Sequence, residues 1–246
     1  MKHKGHYDDH YILVLSAKLS SVMPDFDAEA FSKALTGHLD DKELFARFDC
    51  IVDAVQKYMG SDYSKNIHVF YNLLGPELEQ PEGMFSFGWW LWPIGRYVER
   101  NGNENWKLSL SFLKELTKRF TGEYAIRPLL KTHPQEVMDE LIVWTYYSNV
   151  HVRRLACEGV RIRLPWAEKL HVALDEFERY TKLLTNLKDD PENFVQKSVG
   201  NNLNDLYKDA PEKAERIIAQ WRKTPSSKAQ EWIVKHGTRN QNRKGV

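Results

Sequence analysis

The chain is poor in the residues that announce the common enzyme chemistries. Cys50 and Cys157 are its only cysteines in 246 residues. Two thiols exclude a disulfide frame and lead one to expect a reducing cytoplasm. No apolar run approaches the ~20 residues that a membrane span requires. The opening Met1-Lys2-His3-Lys4-Gly5-His6-Tyr7 lacks the apolar core of a secretory signal. A cytoplasmic protein with no membrane partner is therefore expected. There is no Gly-rich phosphate loop, Cys-x-x-Cys, His-Glu-x-x-His or Gly-x-Ser-x-Gly pattern. Nucleotide hydrolysis, zinc chemistry and Ser-triad chemistry have no support, and no cofactor, nucleotide or metal is expected. His68, for instance, has no second metal-type residue at i+3 or i+4.

A charge surplus is also missing, since 35 Lys/Arg meet 34 Asp/Glu for a net charge of +1. The distribution says more than the total. Met1 to Cys50 holds six Lys/Arg against nine Asp/Glu, whereas Trp221 to Val246 holds seven against one. Basic residues also gather from Arg153 to Lys169. A local basic face is enough to bind phosphate in a near-neutral chain. A solvated basic last helix with a frayed tail explains the C-terminal surplus about as well.

What is present is helical periodicity. Tyr11 to Leu19 reads as a buried helix, with a strand as the weaker alternative. Asp27 caps Ala28 to Leu35, and Asp40 or Asp41 starts a helix through Tyr58 with Leu44, Phe48, Ile51, Val52 and Val55 on one face. Ile67 to Leu74 makes another, stopped by Gly75-Pro76. The aromatic block Phe85 to Val98 has the spacing of a buried helix, so packing outweighs base stacking for most of its rings. Trp106 to Phe120 follows, with Leu108, Leu110, Leu113 and Leu116 on its apolar side. Thr121 to Leu130 begins a helix in which the dipole accounts cheaply for Glu123 in the first turn. Gln135 to Tyr147 comes next. Further on, Glu178 to Leu187 is expected to pair with Phe194 to Leu206, and Pro211 to Trp221 with Ser227 to His236.

The stretch Asn149 to Trp166 organises the rest. Asn149 is an N-cap, Gly159 a stop, and Val152, Leu155 and Ala156 form one apolar face. Arg153 and Arg154 point away from it. Glu158 falls at the C-terminal end, where the helix dipole disfavours a carboxylate. That conflict between local preference and content marks a functional candidate. The pattern returns 43 residues later, with Val195 in place of Val152. A recurrence at roughly 40–47 residues is the signature of HEAT-type helical repeats. The expected architecture is one all-α domain over 1–246, a right-handed superhelix of HEAT-like pairs with Glu158 and Asp205 on a concave face.

Several ordered motifs carry a resemblance over almost the whole chain. Arg153-Arg154-Leu155-Ala156-Cys157-Glu158-Gly159, Arg161-x-Arg163-Leu164-Pro165-Trp166 and Ser198-Val199-x-Asn201-Asn202-Leu203-Asn204-Asp205 are the main ones. With Glu123-Tyr124-Ala125-Ile126-Arg127-Pro128, Trp92-Pro93-Ile94-Gly95 and Trp232-Ile233-Val234-Lys235-His236-Gly237-x-Arg239-Asn240, they make the chain resemble the HEAT-like-repeat alkylpurine DNA glycosylases of the AlkC type. Some relatives carry an immunoglobulin-like domain after this point, and none is expected here. The resemblance implies a monofunctional glycosylase that removes a cationic alkylated base, such as 3-methyladenine, from duplex DNA in base excision repair. A cationic base leaves as a neutral one and needs no general acid. The developing sugar cation needs an anion, and a water must be oriented toward it. By resemblance, Asp205 is the principal catalytic residue, with Glu158 and Glu123 completing an acidic cluster. Trp166 forms a wall beside the deoxyribose and offers a cation–π contact. The resemblance further implies that the protein bends the duplex and reaches the lesion from its backbone. Phosphate contacts are expected among Arg153, Arg154, Arg161, Arg163, Lys235, Arg239 and Lys244. The expected partner is alkylated double-stranded DNA, bound by a monomer. The rival expectation is a non-catalytic HEAT scaffold for DNA or protein. Acids facing DNA would then be a cost without a benefit, because phosphates repel them.

Overall fold

The computed structural model describes residues 3–241, and Lys244 lies outside them. Among the described residues there are fifteen α-helices and no strand. The chain divides into two compact units, 1–125 and 126–246.

The first unit holds α1 (Asp9–Val22), α2 (Ala28–Leu35), α3 (Leu44–Met59), α4 (Tyr63–Leu73), the short α5 (Met84–Phe87), α6 (Trp92–Asn101) and α7 (Trp106–Thr117). Carboxylates start three of them. The Asp8, Asp27 and Asp62 side chains accept from the amides of Tyr11, Ala30 and Lys65 at 2.9–3.0 Å, which satisfies donors the helix leaves open. The expected cap at Asp40 or Asp41 is not used. Glu43 holds the N-cap position of α3 and makes no side-chain cap bond. The reason lies in buried Arg47, whose guanidinium donates to the carbonyls of Tyr7 (2.8 Å), Asp40 (3.0 Å) and Lys42 (3.1 Å). That side chain organises the preceding loop, so the helix starts later. Leu44, Phe48, Ile51, Val52 and Val55 are all buried, as their spacing predicts. α1 is more exposed than expected, with Leu13 and Val14 open to solvent. The aromatic block is mixed. Trp92 is buried against Phe48, Phe120 and Tyr124, while Phe87 is exposed.

The second unit holds α8 (Ile126–Thr132), α9 (Pro134–Trp144), α10 (Val150–Glu158), the short α11 (Val172–Asp175), α12 (Phe177–Asn186), α13 (Asn193–Asp209), α14 (Pro211–Trp221) and α15 (Lys228–Gly237). Proline occupies the first turn of both α9 and α14, where its missing N–H is no loss. The sequence-adjacent pairing expected for α12 with α13, and for α14 with α15, is not the main packing. α12 lies chiefly on α9, while α13 lies chiefly on α10 and α15. Helices one repeat apart thus stack on each other, as a solenoid requires. Gly200 and Gly237 permit the α13–α15 approach. A Cβ at Gly237 would lie 2.7 Å from the Leu203 Cβ, and one at Gly200 would lie 2.7 Å from the His236 ring. The 43-residue echo is real in space, because α10 and α13 pack together, but its acids are out of register. Glu158 ends α10, whereas Asp205 lies well inside the longer α13.

Candidate active site

Asn149 starts α10 by accepting from the amides of His151 (2.9 Å) and Val152 (3.4 Å). Gly159 ends it with an ordinary right-handed φ of −62°. Its lack of a side chain matters for space, since a Cβ there would meet the buried Ile126 Cγ2 at 2.7 Å. The last turn of α10 therefore sits tight against α8 and delivers Glu158 inward.

Glu158 and Asp205 converge on one guanidinium. Arg161 Nη1 donates to Glu158 Oε1 at 2.8 Å, and Arg161 Nε donates to Asp205 Oδ2 at 2.9 Å. The backbone N–H of Arg163 also donates to Asp205 Oδ2, at 3.3 Å. Ser198 Oγ donates to Glu158 Oε2 at 2.6 Å, and Arg154 Nη2 approaches Glu158 Oε1 at 3.7 Å. Glu158, Arg161 and Asp205 are 6%, 8% and 2% exposed. In so dry a setting charges survive only as hydrogen-bonded partners. Burial by itself would raise the Glu158 pKa. The Arg154 and Arg161 charges, with the hydrogen bonds from Ser198 and Arg161, outweigh it and hold the carboxyl below the usual glutamate range. Burial likewise opposes the Arg161 charge, and Glu158 and Asp205 more than restore it. Cys157, next in the chain, is buried and its thiol is pushed up to about 12, chiefly by that burial, so it is inert.

The neighbouring arginines are paired too. Arg153 Nε donates to buried Asp190 at 2.7 Å, and its Nη1 donates to the carbonyls of Tyr147 and Ser148. Arg163 and Lys169 both hold Asp209, at 2.6 and 2.7 Å. Arg154 lies over the Phe194 ring, 5.0 Å from its centroid. Lys235 and Arg239 are exposed on and just beyond α15.

Between Arg161 and Leu170 the chain forms a loop whose ends are clamped. Buried Arg127 of α8 donates to the carbonyls of Gly159 (3.4 Å), Arg161 (2.8 Å) and Glu168. At the tip, the Ala167 N–H donates to the Leu164 carbonyl at 3.2 Å. Pro165 and Trp166 are thus the two central residues of a turn, and Trp166 has φ = +63°. It is the one non-glycine residue with positive φ among the described residues. Proline first and a left-handed residue second is the type II arrangement, in which glycine normally holds the second place. A tryptophan there bears a backbone cost of about 1–2 kcal/mol. It is also 56% exposed, so packing does not explain it. Strain of this kind persists where a side chain is held out for use.

Glu123 belongs to the first unit. It lies in the turn ahead of α8, not in a first helical turn as expected. It is buried, and its Oε2 accepts from Thr121 Oγ1 at 2.8 Å while its own N–H donates to that hydroxyl at 3.2 Å.

Sequence reading missed the partner roles of Ser198, which holds Glu158, of Asp190, which holds Arg153, and of Asn202 and Arg127, which hold the backbone around them. Asn202 Nδ2 donates to the Cys157 carbonyl at 2.9 Å, and its Oδ1 accepts from Tyr180. Ser198, Asn202 and Asp205 stand at i, i+4 and i+7 on α13, a polar stripe facing the buried side of the helix. That spacing was the available signal.

A buried acid–arginine network inside stacked helical repeats, beside an exposed strained tryptophan, defines a helical-repeat protein with a built site. Residues 103–239, more than half of the chain, match the model of the DNA alkylation repair enzyme family. The protein belongs to that family. Among solved structures it is similar to the Pseudomonas fluorescens alkylpurine DNA glycosylase AlkC bound to DNA containing an abasic site analog. That likeness has a TM-score of 0.85 and 29% identity, over 99% of this chain and 65% of that one. AlkD2 from Streptococcus mutans shares the fold at a TM-score of 0.50 and 20% identity, over 85% of this chain and 96% of that one. A Bacillus subtilis (strain 168) protein, the uncharacterized YhaZ, is 36% identical over 149 residues, 61% of this chain and 41% of YhaZ. The chain thus spans less than two thirds of the length of YhaZ and of AlkC. No helix among the described residues is long and apolar enough to cross a membrane.

Proposed function

We propose that the protein is a DNA glycosylase that excises cationic alkylated bases of the 3-methyladenine type from duplex DNA. The observation that carries this reading is the pair of carboxylates, Glu158 and Asp205, fixed on Arg161 at the base of the loop that presents Trp166. In the reaction the bond from C1′ to the base nitrogen breaks, and its electron pair neutralises the departing base. Water adds at C1′ and gives up a proton to bulk water. No protein acid is required, because the base already carries the positive charge. Asp205 is the principal group facing the developing sugar cation and orienting the water, with Glu158 in support. A carboxylate held by fixed donors in a dry site is preorganised, so its field does not have to be assembled at the moment of reaction. Trp166 supplies an aromatic face to the cationic lesion or sugar.

The paired arginines change their expected roles. Arg153, Arg161 and Arg163 are read as framework, because each is closed on its own acid, and the phosphate contacts fall to Arg154, Lys235 and Arg239. A non-catalytic scaffold has one fact in its favour: both acids already satisfy Arg161. Asp205→Asn separates the two readings, because it keeps the shape and removes the charge. One electrostatic group aimed at transition-state charge is typically worth ~10²–10³ in rate. Single-turnover release of 3-methyladenine from methylated duplex is therefore expected to fall at least about tenfold, with DNA affinity held or slightly raised. Wild-type excision by a folded Asp205→Asn protein sinks the catalytic assignment and favours the scaffold.

A further inference from the structure

Arg153, Arg161, Arg163 and Arg179 of the second unit each hold an acid, but a group around Arg239 does not. Lys197 and Asn201 lie one turn apart on α13, and His236 and Arg239 face them from α15 and the residues after it. Arg239 Nη2 donates to Asn201 Oδ1 at 3.1 Å, and His236 Nε2 meets the same oxygen at 3.0 Å. Arginine only donates, which fixes that atom as the amide oxygen and requires His236 to carry its proton on Nε2. Arg239 and the imidazole therefore both lean on a neutral amide. Among the described residues neither they nor Lys197 makes an ion pair with a carboxylate. The 43-residue repeat shows what is missing. Counting on from Glu158 arrives at Asn201, so the position that holds a carboxylate against Arg161 in one repeat holds an amide in the next.

The imidazole is pinned in place. Trp232 stacks on it with 4.9 Å between ring centroids and 7° between planes. Gly200 lies so close to the ring that there is no room for a Cβ. Lys197 and Arg239 are exposed, and His236 is half-buried. Two solvent-open cations without a counter-ion, beside an oriented imidazole able to take up a proton, make a site for an anion.

We propose that Lys197, His236 and Arg239, held on Asn201, form a binding subsite for one backbone phosphate of DNA. The inference rests on reading the chain as a protein that acts on duplex DNA. The charged groups around the imidazole are Lys197 of α13, Arg161 of the loop after α10, and Lys235 and Arg239 on its own side; Asp205 acts on Arg239. Burial first, then Arg239, Lys197 and Arg161, depress the His236 pKa in the free protein. A phosphate at the site reverses that balance, so binding takes up a proton and affinity falls as pH rises past the free imidazole. One linked proton changes the dissociation constant by at most about tenfold per pH unit.

Fluorescence anisotropy with an undamaged 20-mer duplex, from about pH 5.5 to 8, tests the subsite. Wild type is expected to weaken with rising pH and His236→Gln to be flat. Arg239→Ala should flatten the log Kd against log salt slope by about 0.9, one phosphate contact. Asn201→Asp, which installs the missing carboxylate, should weaken binding about tenfold by the same charge logic. An NMR titration of the His236 imidazole supplies the second arm. The duplex should raise its midpoint, and millimolar inorganic phosphate should not. Equal shifts would make it a general anion site and overturn the DNA assignment. A pH profile unchanged in His236→Gln, or wild-type affinity in folded Asn201→Asp, overturns the subsite while leaving the glycosylase reading intact. Absence of any duplex binding at low salt overturns both.

Discussion

Trp166 is where backbone and chemistry can be separated by two substitutions. Trp166→Gly and Trp166→Ala delete the same indole and differ by one methyl. Their stabilities should nevertheless differ, because φ is +63° at this position. Alanine bears the left-handed cost of about 1–2 kcal/mol, and glycine does not. Glycine loses about 0.4–1 kcal/mol through the greater freedom of its unfolded chain. The difference leaves Trp166→Gly more stable by about 0.5–1 kcal/mol, or ~1–4 °C in Tm for a chain of this size. Wild type carries the same strain with a side chain that is more than half exposed, so Trp166→Gly should unfold within a few degrees of it. Excision should respond differently. A desolvated cation–π contact is worth about 0.5–2 kcal/mol, so both variants should lose about 2- to 30-fold in single-turnover rate. Differential scanning calorimetry and single-turnover assays on both proteins read the two effects. Trp166→Ala as stable as Trp166→Gly would refute the strain, and wild-type excision by Trp166→Gly would refute the role of the indole.

The acid network makes two further predictions. Arg161→Met leaves Glu158 and Asp205 buried without their common partner, which costs about 3–5 kcal/mol; a urea midpoint shift worth less than about 1 kcal/mol would show that the guanidinium does not hold the pair. The lowered Glu158 pKa contributes stability that is complete above its unfolded value, about 4.3, and is lost as pH falls through the folded one. Urea unfolding should therefore weaken below roughly pH 4 in wild type and less steeply in Glu158→Gln; identical acid limbs would remove Glu158 from the linkage.

The local grammar of the chain was legible. Asp27, Asn149 and the stripe from Leu44 to Val55 read true because a cap or an amphipathic face depends on neighbours a few residues away. The start of α3 was not, because Arg47 gathers the carbonyls of Tyr7, Asp40 and Lys42, and no spacing rule encodes that. Helix pairing failed for a related reason. Adjacent helices in the chain were expected to be partners, but the repeat period places α10 against α13, and the small Gly200 and Gly237 bring α15 onto α13. In the candidate site, Glu158 stood out because a carboxylate at a helix C-terminus needs compensation, and Arg154, Arg161 and Ser198 supply it. The turn at Pro165-Trp166 could be suspected from proline. Its left-handed second residue could not, since that place normally belongs to glycine.

The arginines carry the larger lesson, because a sequence shows how many cations there are and not which are already spent. Arg153, Arg161 and Arg163 looked alike as phosphate contacts, yet each faces its own acid, Asp190, Glu158 with Asp205, and Asp209. Once those pairs are closed, the near-zero net charge no longer obscures the surface field. What remains open in the second unit includes Lys197, His236 and Arg239, and they remain open because Asn201 stands where the repeat elsewhere has Glu158. In a repeat protein, then, replacing one carboxylate by its amide releases a cation from holding the fold together, and on the proposed reading that cation meets a phosphate. On the proposed reading α13 serves both tasks, with Asp205 kept for the sugar and Lys197 and Asn201 turned to the strand.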